Sequence, residues 1–504
     1  MTDGVFAQVR AGMAAPDKAF LVTGEGVTVT YGDMERLSAR FAATLIALGV
    51  GKGDRVAAQT EKSPEALMLY LACLRAGAVY LPLNTAYTPA EIGYFLGDAE
   101  PRVFVCDPAK EDALASVAQK AGVEVVLTMG PDGEGSFTER AAGLGDSVHD
   151  VAVTGDDLAA ILYTSGTTGR SKGAMLSHDN LLSNARTLVG YWGFTERDVL
   201  LHALPIFHTH GLFVATNVSL LAGATMLFLP RFDADAVVRL LPRATSMMGV
   251  PTFYARLLGQ TAFDRDLVSH MRLFISGSAP LSAETHREFS ARTGHAILER
   301  YGMTETNMNT SNPLDGERIP GTVGFPLPGV ALRIADPETG AVLPQGEIGV
   351  IEVRGPNVFK GYWRNPEKTA LEFRQDGFFI TGDLGRVDER GYVSIVGRGK
   401  DLVISGGFNV YPAEVETELD SLPGVAESAV IGVPHADFGE GVTAVVAPRP
   451  GATLDEAGIQ AALAGKLAKF KVPKRVVVVD ALPRNTMGKI QKNVLRDTYK
   501  DLYA

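Results

Sequence analysis

A glycine- and hydroxyl-rich stretch at residues 164–173 most directly indicates chemistry in this sequence. It runs Thr-Ser-Gly-Thr-Thr-Gly-Arg-Ser-Lys-Gly and follows an apolar run at 158–162 that predicts a buried strand. Successive backbone N–H groups in such a loop form a site for phosphate oxygens, and Lys172 adds a positive charge. The spacing is not that of a Walker A loop, because Arg170 and Ser171 precede the lysine. A flexible turn is the alternative, but the strand and the lysine favour a nucleotide triphosphate site.

Six further patterns follow in a fixed order, each rich in hydroxyl, acidic, basic or histidine side chains. They lie at 205–211 (PIFHTHG), 276–280 (SGSAP), 299–306 (ERYGMTET), 379–383 (FITGD), 397–398 (GR) and 483–489 (PRNTMGK). One such pattern alone is weak evidence of function. The full ordered set predicts a single composite site.

The elements that must position these patterns predict an α/β fold: a large N-terminal domain of α/β layers with a small β-rich subdomain, and a smaller mobile α+β lid. Helical and β-rich runs alternate up to about residue 150, as expected for a largely parallel sheet. A second α/β region is expected at 151–325 and a β-rich subdomain at 326–397. Residues 398–400 predict a hinge, and 401–504 predict the lid, with helices near 412–421 and 455–469.

Length and composition limit the classes of function. A chain of 504 residues exceeds one hydrophobic core, and its net charge of −11 gives no pull toward nucleic acid or anionic membrane. Two cysteines, Cys73 and Cys106, provide no disulfide framework, which favours a reducing cytoplasm. The N-terminus carries no signal-peptide pattern. The apolar run at 66–74 is too short for a bilayer and predicts a buried helix.

Together, the patterns closely resemble those of the adenylate-forming superfamily, which includes acyl-CoA synthetases, peptide-synthetase adenylation domains and luciferases. The resemblance covers essentially the whole chain. It implies that a carboxylate is joined to the α-phosphate of ATP with release of pyrophosphate. A thiol then attacks the acyl-adenylate. ATP, Mg²⁺ and coenzyme A are the implied cofactor and co-substrates, and small molecules are the implied partners.

The resemblance also implies residue roles. Glu305 and Thr164 are expected to bind Mg²⁺, which prefers oxygen ligands, and Asp383 with Arg398 to bind the ribose hydroxyls. Tyr301 is expected to stack on adenine. The implied catalytic residues are Lys489, Glu305, Thr304, Lys172 and His208. The implied ATP- and AMP-binding residues are Thr164, Ser165, Gly166, Thr167, Thr168, Gly169, Lys172, Ser278, Ala279, Pro280, Glu299, Arg300, Tyr301, Gly302, Met303, Thr304, Asp383, Arg398 and Lys489.

Lid rotation is a further implication of the resemblance. Lys489 is expected to reach the carboxylate and the α-phosphate during adenylation, and Lys400 to be the hinge residue. Rotation would withdraw Lys489 and present the CoA-binding segment Ser405, Gly406, Gly407 and Phe408. A lysine acetyltransferase and a deacetylase acting on Lys489 are implied partners, because acetylation would remove its charge.

The two histidines of the 205–211 pattern, His208 and His210, offer two interpretations. A metal site is disfavoured, since no further ligand with suitable spacing accompanies them and an extended segment would point them in opposite directions. The resemblance instead implies that His208 lies beside the acyl pocket and the phosphates.

Arg300 distinguishes this chain, because many members of the superfamily have a neutral residue there. A buried arginine facing an acyl pocket is unfavourable unless it meets an anion, and its fork suits a carboxylate. We therefore predict a substrate with two carboxylates, and residues 299–313 resemble malonyl-CoA synthetases, with methylmalonate as a slower substrate. The predicted substrate residues are Arg300, His208, Thr209, Ser276, Ser278, Met308 and Arg256, the last for malonate or CoA.

Several alternatives stay open at this point. Arg300 could form a structural salt bridge with Glu299 or Asp315 and point away from the pocket. The enzyme could ligate a short-chain or aryl monocarboxylate, or could load a carrier-protein thiol instead of CoA. The chain could also be a non-catalytic nucleotide-binding module, although such a module does not need Lys489, Glu305 and Lys172 together. The sequence does not fix the oligomeric state.

Overall fold

The computed structural model describes residues 4–13, 15–164, 171–406, 408–485 and 488–503. Its α-helices are α1 (Val5–Ala11), α2 (Tyr31–Ala47), α3 (Pro64–Ala76), α4 (Pro89–Ala99), α5 (Glu111–Lys120), α6 (Ser136–Ala142), α7 (His178–Tyr191), α8 (Asn217–Leu221), α9 (Ala234–Leu240), α10 (Pro251–Leu258), α11 (Arg265–Val268), α12 (Ala283–Thr293), α13 (Pro366–Leu371), α14 (Pro412–Asp420), α15 (Glu456–Ala464) and α16 (Lys492–Tyr499).

The strands carry the site residues at their ends. They are β1 (Ala19–Thr23), β2 (Thr28–Thr30), β3 (Arg55–Gln59), β4 (Val79–Pro82), β5 (Val103–Cys106), β6 (Val125–Thr128), β7 (Leu158–Thr164), β8 (Lys172–Ser177), β9 (Val199–His202), β10 (Thr225–Phe228), β11 (Ser246–Gly249), β12 (Leu273–Ser276), β13 (Leu298–Met303), β14 (Asn307–Ser311), β15 (Phe325–Pro326), β16 (Ala331–Ala335), β17 (Gly349–Arg354), β18 (Phe379–Val387), β19 (Val393–Arg398), β20 (Val403–Ser405), β21 (Phe408–Val410), β22 (Val425–His435), β23 (Gly439–Pro448) and β24 (Arg475–Val478).

Helix α3 shows how local sequence sets the element limits. The Ser63 side chain caps its first turn, Pro64 occupies the first helical position, and Gly77 ends it with φ of +68°. Every residue from Ala66 to Ala76 is buried, which confirms the predicted buried helix. No helix in the described part of the chain is long and apolar enough to cross a membrane.

Two large sheets form the N-terminal region. The first has the order β6-β5-β3-β4-β7-β8, and the second has the order β15-β14-β13-β12-β11-β9-β10-β1-β2. The pairs β12–β11, β11–β9 and β13–β12 are parallel, as the alternating pattern predicts. Strand β13 then reverses into the antiparallel strand β14.

The two large sheets do not divide at residue 150, the predicted subdomain boundary. Strands β1 and β2 lie before that boundary but join the nine-stranded sheet through β10. Strands β7 and β8 lie after it but join the six-stranded sheet through β4. The sequence did not indicate these pairings, because strand pairing depends on contacts between residues far apart in the chain and local composition does not encode them.

Two smaller sheets follow. Strands β16-β17-β18-β19 form an antiparallel sheet, and β20 to β24 form the sheet of the C-terminal region. The resulting α/β architecture, with a large N-terminal part and a smaller C-terminal part, confirms the predicted fold class. Helix α15 ends at Ala464, earlier than expected, because the chain turns at Gly465. The domain limits and the hinge at 398–400 stay predictions.

The parallel strands of the nine-stranded sheet explain how distant patterns come together. The 205–211, 276–280 and 299–306 patterns lie at or just beyond the carboxyl ends of β9, β12 and β13. The carboxyl ends of parallel strands meet at one edge of a sheet, where ligands of open α/β sheets bind.

Candidate active site

Arg300 is a buried cation with an unused hydrogen-bonding edge. Its side chain is on β13, the residue is 3% exposed, and burial lowers the pKa of its guanidinium to about 9. Nε and Nη2 are both buried without a hydrogen-bond partner among the described residues. These two nitrogens form one edge of the guanidinium fork, the edge with which Arg10 binds both oxygens of Glu35 in this protein. Within the described contacts, Arg300 forms no ion pair with Glu299 or Asp315.

The turn after β12 lies against Arg300. Ser278 has φ of +72°, which is unusual for a residue with a side chain and is typical of functional sites. Its hydroxyl lies 3.2 Å from Nδ1 of His210. The Ser276 hydroxyl is buried and has no partner among the described residues. The two serines of this turn flank Gly277, the residue that contacts the guanidinium.

The His208–His210 segment is not extended, which corrects the expectation from the sequence. Thr209 has helical backbone angles and leads directly into a π-helix, His210–Thr216. Burial lowers the pKa of His208 to about 4, and burial with the nearby Arg300 charge lowers that of His210 well below its ordinary value. His208 Nε2, Thr209 Oγ1 and His210 Nε2 are buried without partners among the described residues. Both histidines are neutral at pH 7, and His210 lies close enough to Arg300 to be affected by its charge.

The start of the π-helix is held by a buried pair that the sequence did not indicate. Lys62 Nζ lies 2.8 Å from the His202 carbonyl and 3.0 Å from its Nδ1. His202 Nε2 lies 3.0 Å from the Gly211 carbonyl, which also accepts from Thr216 at 2.9 Å. Because Lys62 offers only donors, His202 accepts at Nδ1 and donates from Nε2. No spacing pattern connects residue 62 to residue 202.

A second group joins three elements of the predicted nucleotide site. The Tyr301 hydroxyl donates to Asp383 Oδ2 at 2.6 Å, and Arg398 Nε lies 3.1 Å from Asp383 Oδ1. The charge of Asp383 raises the pKa of Arg398. Tyr301 is on β13, and Asp383 and Arg398 face each other across β18 and β19. The structure thus brings together the three residues predicted for adenine and ribose.

Glu305 and Lys172 are linked by two residues that sequence reasoning missed, Tyr362 and Glu372. The Tyr362 hydroxyl lies 3.0 Å from Glu305 Oε1 and 2.7 Å from Glu372 Oε2. Lys172 Nζ lies 3.7 Å from Glu372 Oε1 and 4.7 Å from the centre of the Tyr362 ring. Burial raises the pKa of Glu305. The predicted metal ligand and the phosphate-loop lysine are therefore neighbours of one tyrosine.

Lys489 of the C-terminal region lies close to Asp383 and Arg398, the residues predicted to bind the ribose. Its pKa is lowered to about 8, first by burial and then by the charge of Arg398, while Asp383 opposes the shift. Its backbone N–H donates to Asn485 Oδ1 at 2.9 Å. The lysine that the sequence places at the end of the chain thus lies beside residues of the N-terminal region.

The predicted CoA residues lie elsewhere. Phe408 is 56% exposed and stacks on Phe470, and the Ser405 hydroxyl lies 3.3 Å from Lys474 Nζ. No described contact joins them to Asp383 or Glu305. Arg256 is exposed and lines a cavity of about 200 Å³ with Arg484 and Gly488. This cavity does not include Arg300, so the structure does not bring Arg256 to the guanidinium.

Several predicted residues lie outside those described: Ser165, Gly166, Thr167, Thr168 and Gly169 of the phosphate loop, and Gly407 of the CoA segment. The remaining predicted residues, Thr164, Ala279, Pro280, Gly302, Met303, Thr304 and Met308, are described on or beside β7, β12, β13 and β14. Glu299 is buried, and its carboxylate accepts from the Gly321 amide at 3.4 Å.

This fold and site define the class of the protein. The chain belongs to the AMP-binding enzyme family: the family model described as AMP-binding enzyme matches residues 9–363. A second model, described as AMP-binding enzyme C-terminal domain, matches residues 414–489. Both matches confirm the resemblance to adenylate-forming enzymes.

Individual relatives narrow this class. The chain is 36% identical over 490 residues to a malonate–CoA ligase of Arabidopsis thaliana, covering 89% of this chain and 79% of the relative. It is 39% identical over 477 residues to a feruloyl-CoA synthase of an Amycolatopsis species, covering 94% of each. The ATP-bound MatB of Rhodopseudomonas palustris is 64% identical over the whole of both chains, with a TM-score of 0.98. Apo MatB gives a TM-score of 0.87.

Proposed function

We propose that this chain is an AMP-forming malonate–CoA ligase. It joins malonate to coenzyme A through a malonyl-adenylate, consuming ATP and giving malonyl-CoA, AMP and pyrophosphate. The enzyme class follows from the family matches over both regions of the chain. The substrate follows from the acyl site and from the malonate–CoA ligases among the relatives.

The unused Nε–Nη2 edge of Arg300 is the observation that carries the substrate assignment. A charged guanidinium buried without an acidic partner is unfavourable, since desolvation is not offset by a counter-ion. A free carboxylate on the substrate supplies that counter-ion with two parallel hydrogen bonds. A monocarboxylate leaves the edge unpaired. The geometry therefore favours a diacid, with one carboxylate activated and the other bound by Arg300.

The curated relatives include malonate–CoA ligases and a feruloyl-CoA synthase, and the acyl site distinguishes between these two substrates. A feruloyl-CoA synthase is at least as similar in sequence as the malonate–CoA ligases. Ferulate is an aromatic monocarboxylate and offers no second carboxylate to Arg300. Thr209 and Ser276, which are also predicted substrate residues, have buried hydroxyls without a partner among the described residues. Such polar donors suit a small, strongly hydrated diacid better than an aromatic ring.

The nucleotide and metal roles are part of the same proposal. Asp383 and Arg398 bind the ribose, Tyr301 packs on the adenine, and Lys489 neutralises the charge that shifts between carboxylate and α-phosphate. Glu305 with Thr164 fits Mg²⁺, because both offer oxygen ligands and Glu305 lies near the phosphate-loop lysine. Bound Mg²⁺ would offset the repulsion between the two anionic substrates.

The compartment and the modification of Lys489 are also proposals. Cys73 and Cys106 are both buried free thiols, which suits a reducing compartment such as the cytoplasm. Acetylation of Lys489 by an acetyltransferase, reversed by a deacetylase, would remove the charge used in adenylation.

Arg300→Ala tests the substrate assignment. Pyrophosphate release is measured with malonate, methylmalonate, acetate, butyrate and ferulate for the wild type and the variant. We expect kcat/KM for malonate to fall, with a loss of transition-state stabilisation of about 2–5 kcal/mol, because the diacid loses its counter-ion. Activity with acetate should change little.

The matched control is Arg287→Ala, since Arg287 is an exposed arginine on α12. It should leave the malonate-to-acetate ratio unchanged. A wild-type enzyme that prefers acetate, butyrate or ferulate to malonate would contradict the proposed function. An Arg300→Ala variant with unaltered selectivity would remove the observation on which it rests.

A further inference from the structure

Gly277 lies against the flat face of the Arg300 guanidinium. A Cβ atom built on this glycine would lie 2.4 Å from Cζ, 2.6 Å from Nε and 2.6 Å from Nη1 of Arg300. Three atoms of one planar group at nearly equal distances mean that the group faces the glycine with its plane. Real Cβ contacts do not approach so closely, so the position excludes any side chain while Arg300 keeps its place.

The backbone at Gly277 does not itself require glycine. Its φ lies outside the left-handed region, unlike that of Ser278 next to it. Its amide lies 3.3 Å from the Gly249 carbonyl, which continues the register of β11 and β12. An alanine can therefore adopt this conformation without backbone strain. The guanidinium packed on residue 277 therefore explains why this residue is a glycine.

The other neighbours of the guanidinium restrict where it can move. Tyr254 and His210 are both close enough to interact with its charge. The Tyr254 hydroxyl is fixed by a 2.5 Å hydrogen bond to the Ile275 carbonyl, and His210 is held by Ser278. A side chain at 277 would therefore push the guanidinium toward Tyr254 and His210, which are held in place by their own hydrogen bonds.

We propose that Gly277 is a specificity-determining position. Its contact with the Arg300 guanidinium holds that group where it can bind the second carboxylate of a diacid. This inference rests on the proposed function, because it concerns how the diacid is selected. Gly277 acts through Arg300, so it is a positioning residue. A methyl group at 277 displaces the carboxylate-binding edge by about an ångström while leaving the strand intact.

Gly277→Ala is the direct test. A displacement of about 1 Å in a binding group lowers kcat/KM by about 100-fold, so we expect that loss for malonate. Acetate should be used within about threefold of the wild-type rate, because it does not need the fork. Thermal unfolding and the pyrophosphate-release rate with acetate report whether the fold and the nucleotide site are intact.

Gly190→Ala is the matched control. Gly190 is exposed near the end of α7, has ordinary φ, and a Cβ there meets nothing within 4 Å. It should change neither activity nor selectivity. If Gly277→Ala keeps the wild-type malonate-to-acetate ratio, the inference is overturned.

A double-mutant cycle separates an effect of Gly277 on the position of Arg300 from a general effect on the structure. In the Arg300→Ala background the guanidinium is absent, so adding Gly277→Ala should reduce malonate use by less than about threefold more. Independent, multiplying losses would show that Gly277 acts through something else and would overturn the inference. A wild-type enzyme that does not use malonate would instead contradict the proposed function. In that case neither substitution should change the use of malonate or of acetate.

Discussion

Arg300 and Lys489 show that two buried cations can be kept for different anions. Two nitrogens of the Arg300 guanidinium have no partner among the described residues, and its pKa, which burial lowers to about 9, still lies above neutrality. Lys489 has its pKa lowered to about 8, so its charge depends on pH near neutrality. A fixed charge suits recognition of a stable carboxylate, whereas a mobile ammonium suits a charge that shifts during reaction.

The pH dependence of adenylation follows from Lys489. The lysine is protonated below its pKa and neutral above it, so kcat/KM for pyrophosphate release should fall as pH rises through about 8. Lys489→Arg should move that limb to higher pH, since arginine has a higher pKa than lysine. Stopped assays of pyrophosphate release between pH 6 and about 10 measure both profiles. An identical alkaline limb in the two enzymes would assign it to another group.

At the scale of elements, β13 buries an acid and a base on consecutive positions. Alternation along a strand directs Glu299 and Arg300 to opposite faces, so the two do not pair although they are adjacent in sequence. Glu299 accepts only a long bond from Gly321 among the described contacts, and burial raises its pKa to about 8. Neighbouring charges in a sequence therefore need not neutralise each other.

Glu299→Gln should stabilise the protein increasingly with pH. The unfolded carboxyl loses its proton near 4.5 and the folded one near 8. Between these values the folded state holds more protons, so the free energy of unfolding falls as pH rises and the full penalty is present above 8. The gap between the pKa of 4.5 in the unfolded state and about 8 in the folded state sets an upper bound of about 5 kcal/mol on this gain. Thermal unfolding at pH 5 and pH 8.5 should show a larger gain at the higher value.

Glutamine at 299 cannot ionise, so a gain that is equal at both pH values would contradict the burial argument. Glu317→Gln is the control, because Glu317 is an exposed acid paired with Arg390 at the surface. It should change stability by less than about 1 kcal/mol at either pH.

At the scale of the whole molecule, the C-terminal region is docked in the orientation of an ATP-bound relative. The TM-score is 0.98 with ATP-bound MatB and 0.87 with the apo form of the same protein. Lys489 lies beside Asp383 and Arg398, while Phe408 and Ser405 are away from them. This arrangement suits the first half-reaction, and we propose that the region moves before a thioester step that uses Ser405 and Phe408.

Lys400→Pro tests that movement. Lys400 lies in a 3₁₀ turn, Gly399–Asp401, and 3₁₀ turns in general have φ near the value that proline fixes, so the docked orientation should form normally. We expect pyrophosphate release to stay near the wild-type rate. The CoA-dependent step should slow roughly 100-fold, because proline fixes φ and so opposes rotation at this residue. Single-turnover transfer from isolated acyl-adenylate measures it, with Lys400→Ala as control, and an equal loss in both steps would contradict a hinge at 400.

The sequence by itself determined the chemistry, because the phosphate loop, the Tyr-Gly-Met-Thr-Glu pattern and the terminal lysine are local and ordered. It also determined helices such as α3, whose cap, proline and glycine are all local signals. Only the tertiary structure decided how the sheets exchange strands, that Glu372 and Tyr362 link Lys172 to Glu305, and that Gly277 lies under Arg300. Those features depend on contacts between residues far apart in the chain, and local composition does not encode long-range packing.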